Sequence, residues 1–290
     1  YWHPQLPYVS YPADRWVGAL CLVTFLVIAA FLLIGKYRWL ILMGLLPTAI
    51  ALLIPLFDAR ILKVFLLLAW FLWVSWVIGD IFLRWLKATA DLVPGERIIL
   101  GLVLGWGVLV VLTLFLGLAA LYRRWVFNAL FSLLSLWGLW RNWARIRRFR
   151  FGRLPDSGLD SLTITLVAII ALGSFLWALA PAVRYDSLSY HLAVPERFIQ
   201  AGRMIELPES FQTYWAHYGE MIYVMALLLG EQPLPGLINF SAGLVLALQT
   251  FFVAKRLTNR GTGLIAVLVL YSLPIIGIES ATTYIDIFIA

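Results

Sequence analysis

Residues 162–182 read LTITLVAIIALGSFLWALAPA and lead without a break into residues 183–198, VRYDSLSYHLAVPERF. The first stretch has no charged side chain, and as a helix rising about 1.5 Å per residue it can cross a hydrocarbon core about 30 Å thick. The second turns polar at once, so the pair reads as a membrane span followed by a segment emerging into water. Working outward, charge-free runs recur at residues 16–34, 39–57, 64–79, 98–121, 125–140, 233–254 and 261–278. The runs 64–79 and 125–140 are short, and flanking Trp, Arg and Lys side chains that snorkel toward the interface extend them. With a further span beginning near Ile285, the pattern predicts an all-α fold, a polytopic transmembrane helical bundle of about 8–9 spans.

Composition agrees with that reading. Of 290 residues, 63% are hydrophobic and 13% charged, and the mean hydropathy is +0.92. A soluble domain has about 45–50% apolar and about 25% charged residues, so a water-soluble class is excluded. The net charge of +7 fits loops held near anionic membrane lipid, not a nucleic-acid partner. The single cysteine, Cys21, excludes an internal disulfide and a cysteine-built zinc site. The chain begins at Tyr1 instead of Met and stops abruptly at Ala290, and is expected to belong to a longer protein. Residues 16–34 are too long for the apolar core of a secretory signal and read as a retained helix.

Orientation follows from the arginine run RNWARIRRFRFGR at residues 141–153, which is expected on the cytoplasmic side. Alternation then places Lys36, Arg38, Arg84, Lys87, Arg97, Lys255, Arg256 and Arg260 inside. The N-terminus and the long polar segment 183–232 fall outside. That run also marks the expected boundary between an N-terminal helix block, residues 1–160, and a second module, residues 161–290. Within the outer segment, residues 186–202 read as a surface helix capped by Asp186, with Pro195 kinking it or starting a second turn. The apolar piece 221–230 is too short to span and reads as a re-entrant or interfacial helix.

Chemistry could sit in three places. In RYDSLSYHLAVPERF, Asp186 is a carboxylate at a membrane boundary beside Arg184, where partial desolvation can tune it as a general base; the plain alternative is a helix cap. Tyr190 lies one α-helical turn beyond Asp186, whereas His191 would be rotated away. In TYWAHYGE, residues 213–220, the residues Tyr214, Trp215, His217, Tyr218 and Glu220 suit either a sugar face or an interfacial aromatic belt. In ESATTYID, residues 279–286, Glu279 and Asp286 would share a helix face and could converge with Asp186; ordinary interfacial solvation is the alternative. Asp80 and Arg84 are spaced for an i,i+4 pair, and Gly101 and Gly105 for close helix packing. Phosphate-loop, dinucleotide, HExxH and nucleophile-elbow motifs are missing from the sequence.

The succession ALAP, RYDSLSYHLAVPERFIQAGRMIELPES, YWAHYGEMIYVMALLLG and ESATTYIDIFIA, within residues 162–290, resembles the start of the catalytic module of GT-C glycosyltransferases. The similar proteins are bacterial relatives of the protein O-mannosyltransferases and of the lipid A aminoarabinose transferase. The resemblance implies that Asp186 is the catalytic carboxylate, although the family often has two adjacent acids where this chain has Asp186 and Ser187. It implies transfer of a sugar from a polyprenyl-phosphate carrier to an unidentified acceptor at the outer face of a bacterial inner membrane. Arg184, His191 and Arg197 then become candidates for the lipid phosphate, and Asp286 for a second acid or metal ligand. Tyr190 and His217 join the substrate-binding set, and use of a divalent cation stays open. Family members continue for several more spans, so the chain is expected either to run on past Ala290 or to be a shortened relative. The competing reading is a non-catalytic subunit packed against a larger membrane complex. A haem or pigment carrier fits poorly because no histidine lies inside a predicted span.

Overall fold

The computed structural model describes residues 59–148, 158–208, 211–214, 217–230 and 232–289. The expected spans 16–34 and 39–57 lie outside these residues. All regular structure among the described residues is helical. Helix α1 is Ala59–Trp85, α2 is Pro94–Leu118, α3 is Arg124–Arg148 and α4 is Gly158–Ala178. A π-helical turn, Ser187–His191, leads into α5, Ala193–Ala201. Then come α6, Glu220–Leu229; α7, Leu234–Leu257; α8, Arg260–Ser272; α9, Pro274–Ala281; and the short α10, Asp286–Ile289.

Four of these helices, α1, α2, α4 and α7, are long and apolar enough to cross a membrane. Helix α3 has the length, but its apolar part is confined between Arg124 and Arg141. The expected straight span over 261–278 is instead the pair α8 and α9, bent by 74°. Pro274 causes the break: it lacks an amide hydrogen and favours extended backbone in the residue before it. Leu273 is indeed extended, and Pro274 opens α9 at its first position.

Tight packing of α1 on α2 follows from glycine. A Cβ on Gly105 would sit 1.8 Å from the Ser75 carbonyl oxygen, and one on Gly79 would sit 1.7 Å from that of Gly101. The expected GxxxG step is therefore a true close approach of backbones. In lipid, where apolar burial provides little drive between helices, such dispersion contact replaces it. Helix α3 joins by a hydrogen bond from Trp70 Nε1 to Ser135 Oγ, 2.7 Å long.

Helix α7 is the hub of the described residues, packing against α1, α2, α4, α6, α8, α9 and α10. Its first ten residues, Leu234 to Gly243, are all buried. Helix α6 is apolar on every side because neighbours enclose it on every side. Its residues are almost all buried, among α2, α3, α5 and α7, so it does not lie on the membrane surface.

The spans alternate in direction, and this separates two ends. At one end, Asp80, fully buried, pairs with Arg84 and with Arg97, whose Nε donates to Asp80 Oδ1 at 2.7 Å. Arg84 also reaches Asn142 Oδ1, and Arg260 meets Asp160 at 3.3 Å. Arg256 donates to the Asp91 carbonyl at 2.7 Å. The pair expected from spacing alone is thus the centre of a network tying α1, α2 and α3 together. The opposite end holds residues 183–208, 211–214 and 217–219. There the amide of Tyr122 donates to Gly202 O, and the amide of Met204 to Gly117 O. Gly202 closes α5 with φ of 71°, a left-handed conformation suited to glycine.

Candidate functional site

The polar end is built around a departure from α-helical geometry. After α4 the chain resumes helical dihedrals near Asp186 (φ −64°, ψ −39°), then widens so that the Leu192 amide donates to Ser187 O, five residues back. The helix expected over 186–202 is two pieces, and Pro195, expected to kink it or start a second turn, stands in the first turn of α5. Two consequences correct the sequence reading. An N-cap residue needs extended dihedrals to fold its side chain over the following amides, and Asp186 has helical ones and makes no capping hydrogen bond. Nor does the wider π turn leave His191 rotated away from Tyr190. Its ring lies against Tyr190, with centroids 4.1 Å apart.

His191 and Glu220 form the buried heart of the site. Nδ1 of His191 donates to Oε1 of Glu220 at 2.9 Å, and the two residues are 4% and 3% exposed. Oε2 of Glu220 lies 3.9 Å from Nδ1 of His217, which meets Phe198 edge-on. Tyr284 also lies beside His191, 5.6 Å between ring centroids. The Tyr284 carbonyl accepts from the Tyr223 hydroxyl at 2.7 Å.

Three further carboxylates converge here. Burial and then the negative charges of Asp186, Glu220 and Asp286 push the Tyr190 phenol above its usual range. Burial and Asp186 do the same to Tyr284, opposed by Arg184 and reinforced by Glu279 and Asp286. Glu279 and Asp286 were expected on one helix face, but α9 ends at Ala281 and the chain turns before α10. They meet across that turn, within electrostatic reach of each other, with His191 and Arg184 also in range of Glu279. Asn239, wholly buried in α7, holds the turn by donating from Nδ2 to the carbonyls of Glu279 and Thr282.

Arg184 is exposed at the rim, its guanidinium 5.3 Å from the centre of the Trp177 ring. Beside it opens a small cleft lined by Trp177, Arg184, Ser187, Gln232 and Thr283 among others. The hydroxyls of Ser187 and Thr283 are buried there without a hydrogen-bond partner among the described residues. Such groups cost free energy unless something else satisfies them.

Of the residues singled out in the sequence, Asp186, Arg184, Tyr190, His191 and Asp286 come together, and His217 touches the group through Glu220. Arg197 is exposed on α5 and joins none of the ion pairs among the described residues. Among the described residues no three His, Cys, Asp or Glu side chains are grouped to hold a metal ion. Sequence reasoning gave Glu220 and Glu279 only as cluster members, and passed over Asn239, Ser187, Tyr284 and Thr283. Asn239 had a signal: an amide inside an otherwise apolar run needs a partner. Comparison with family models, curated proteins and solved structures finds no match to the chain.

Proposed function

We propose that the protein transfers a sugar from a polyprenyl-phosphate carrier to an acceptor at the outer face of a membrane. In this reading it is a GT-C-type glycosyltransferase of the bacterial inner membrane, with eight to nine spans and the N-terminus outside. The observation that carries it is Asp186: a half-buried carboxylate released from capping, at the end of the bundle away from the arginine-rich loops, with Arg184 two residues before it.

The chemistry asks little more than these groups supply. An acceptor hydroxyl or amine gives its proton to the Asp186 carboxylate while its lone pair forms the bond to the anomeric carbon. The bond from that carbon to the phosphate oxygen breaks, and its electron pair leaves with the lipid phosphate. Arg184, at the rim and free to reach outward, offsets the negative charge that develops there. The apolar outer faces of α2 and α4, with Phe115, Leu118 and Trp177 exposed, suit the hydrocarbon tail of such a carrier.

The test is sugar transfer by membranes containing the full chain, using radiolabelled polyprenyl-phosphate sugars. Asp186→Asn is expected to lower transfer by about a hundredfold or more while leaving the amount of protein in the membrane unchanged. Undiminished transfer would reject Asp186 as base. If the unaltered protein transfers no sugar from any such donor, the non-catalytic membrane subunit becomes the better reading.

A further inference from the structure

We infer that Glu220 is a positioning residue for His191, and that Nε2 of His191 carries away the proton which Asp186 collects. The inference rests on the transfer reading for its last step, but the His191–Glu220 arrangement stands on geometry alone.

Glu220 has no part in the transfer chemistry described above, yet it is a buried carboxylate, which is expensive to keep unless it is paired. It is the first residue of α6, where a carboxylate suits the positive end of the helix dipole, but its oxygens do not turn to solvent. Its Oε1 instead accepts the hydrogen of His191 Nδ1 at 2.9 Å. An imidazole fixed in this way has one tautomer when neutral, with the hydrogen on Nδ1 and the lone pair on Nε2. Nε2 has no hydrogen-bond partner among the described residues. The ring also packs against two others, Tyr190 and Tyr284. Glu220 thus holds the tautomer, and the two tyrosines crowd the ring.

Two tyrosines supply the connection to Asp186. Asp186 lies within electrostatic reach of Tyr190 and of Tyr284, and both rings pack against His191. After each transfer Asp186 holds the acceptor's proton and must lose it before acting again. His191 Nε2 accepts that proton, the ring becomes imidazolium, and the Glu220 carboxylate at Nδ1 balances the new charge. The proton then passes from the ring to water, with no change in electron count.

The ionisable groups around the ring are Tyr190 from its own turn, Asp186 within reach of both neighbouring tyrosines, Glu220 from α6 with His217 beside it, Tyr284 from the link after α9, and Glu279 from α9. Helix α5 turns Val194, Pro195 and Phe198 inward and leaves Arg197 exposed. Of the facing groups, Glu220 alone makes a hydrogen bond to the ring, so its removal is the clean perturbation.

The experiment is nitrogen-15 NMR of histidine-labelled full chain in lipid nanodiscs, with the His191 signals identified by their loss in His191→Gln. The expected neutral form has the hydrogen on Nδ1, and in Glu220→Gln the neutral ring is expected to divide between the two tautomers. In the sugar-transfer assay the same variant should lower kcat about tenfold or more and leave the donor KM unchanged. Glu220→Asp should recover part of both changes. A hydrogen found on Nε2 in the unaltered protein overturns the inference even if no variant folds. So does a His191 ring that keeps its hydrogen on Nδ1 alone in Glu220→Gln while kcat falls. If the unaltered protein transfers no sugar, the transfer reading fails and the proton-carrier step with it, while the NMR tautomer still decides whether Glu220 positions His191.

Discussion

Asn239 shows how one side chain organises the site from a distance. Its amide sits inside α7, where lipid and apolar side chains would leave it unsatisfied, and the two carbonyls it binds belong to the turn that brings Glu279 and Asp286 together. Replacing it by leucine removes both bonds and adds bulk in a buried place. Asn239→Leu should cost about 1–2 kcal/mol in stability and lower sugar transfer as well, as read by thermal unfolding in detergent beside the transfer assay. A stable variant with normal transfer would show that the turn holds itself. Glu196 on α5 offers a different check. Burial pushes its carboxyl above the usual range, so the folded protein binds this proton more tightly than the unfolded chain does. Its stabilising effect is therefore complete below the unfolded pKa and is lost as pH rises through the folded one. Glu196→Gln should raise the unfolding temperature at neutral pH and make little difference at pH of about 4 or below; equal effects at both pH values would assign the change to something other than this proton.

Between elements, two contacts decide how α1, α2 and α3 stand. The α1–α2 crossing exists because Gly79, Gly101 and Gly105 have no side chain where the backbones meet. Gly105→Leu cannot be absorbed by a rotamer change, since the obstacle is the Ser75 backbone, so the helices must separate. The expected result is a protein that unfolds at markedly lower temperature and extracts poorly, whereas an unchanged melting curve would mean that this crossing contributes little. At the arginine-rich end the buried Asp80 carboxylate compensates both Arg84 and Arg97. Taking it away leaves cations without their counter-charge, and Asp80→Ala is expected to destabilise the bundle by about 3–5 kcal/mol, seen as a drop in the thermal midpoint. The same change made together with Arg97→Leu should recover part of the loss, which separates charge imbalance from lost packing.

For the molecule as a whole, the informative quantity is which end faces which compartment. Asp186, Glu220, Glu279, Asp286, His191 and His217 gather at one end and Arg84, Arg97, Arg256 and Arg260 at the other. With Cys21→Ser as background, Tyr185→Cys near the site and Leu257→Cys at the far end both replace exposed side chains. A membrane-impermeant maleimide added to intact cells should label Tyr185→Cys and leave Leu257→Cys until the cells are opened. The reverse pattern would put the site in the cytosol and remove the reason for an outward-facing lipid-linked donor.

Much of this architecture was legible residue by residue. Whether a run can reside in lipid depends on its own length and charge, so α1, α2, α4 and α7 could be recognised in the sequence, and so could the pairing of Asp80 with Arg84 one turn on. The site was legible only as three polar clusters. Their meeting depends on α7 holding the turn after α9, on α6 being enclosed so that Glu220 faces inward, and on one extra residue in the turn at Ser187–His191. None of these leaves a periodic trace, because each is set by what lies across the bundle and not by chain neighbours. Local composition determined that helices form and where they can cross; the packing between distant helices decided that Asp186, His191, Glu220, Glu279 and Asp286 share one place.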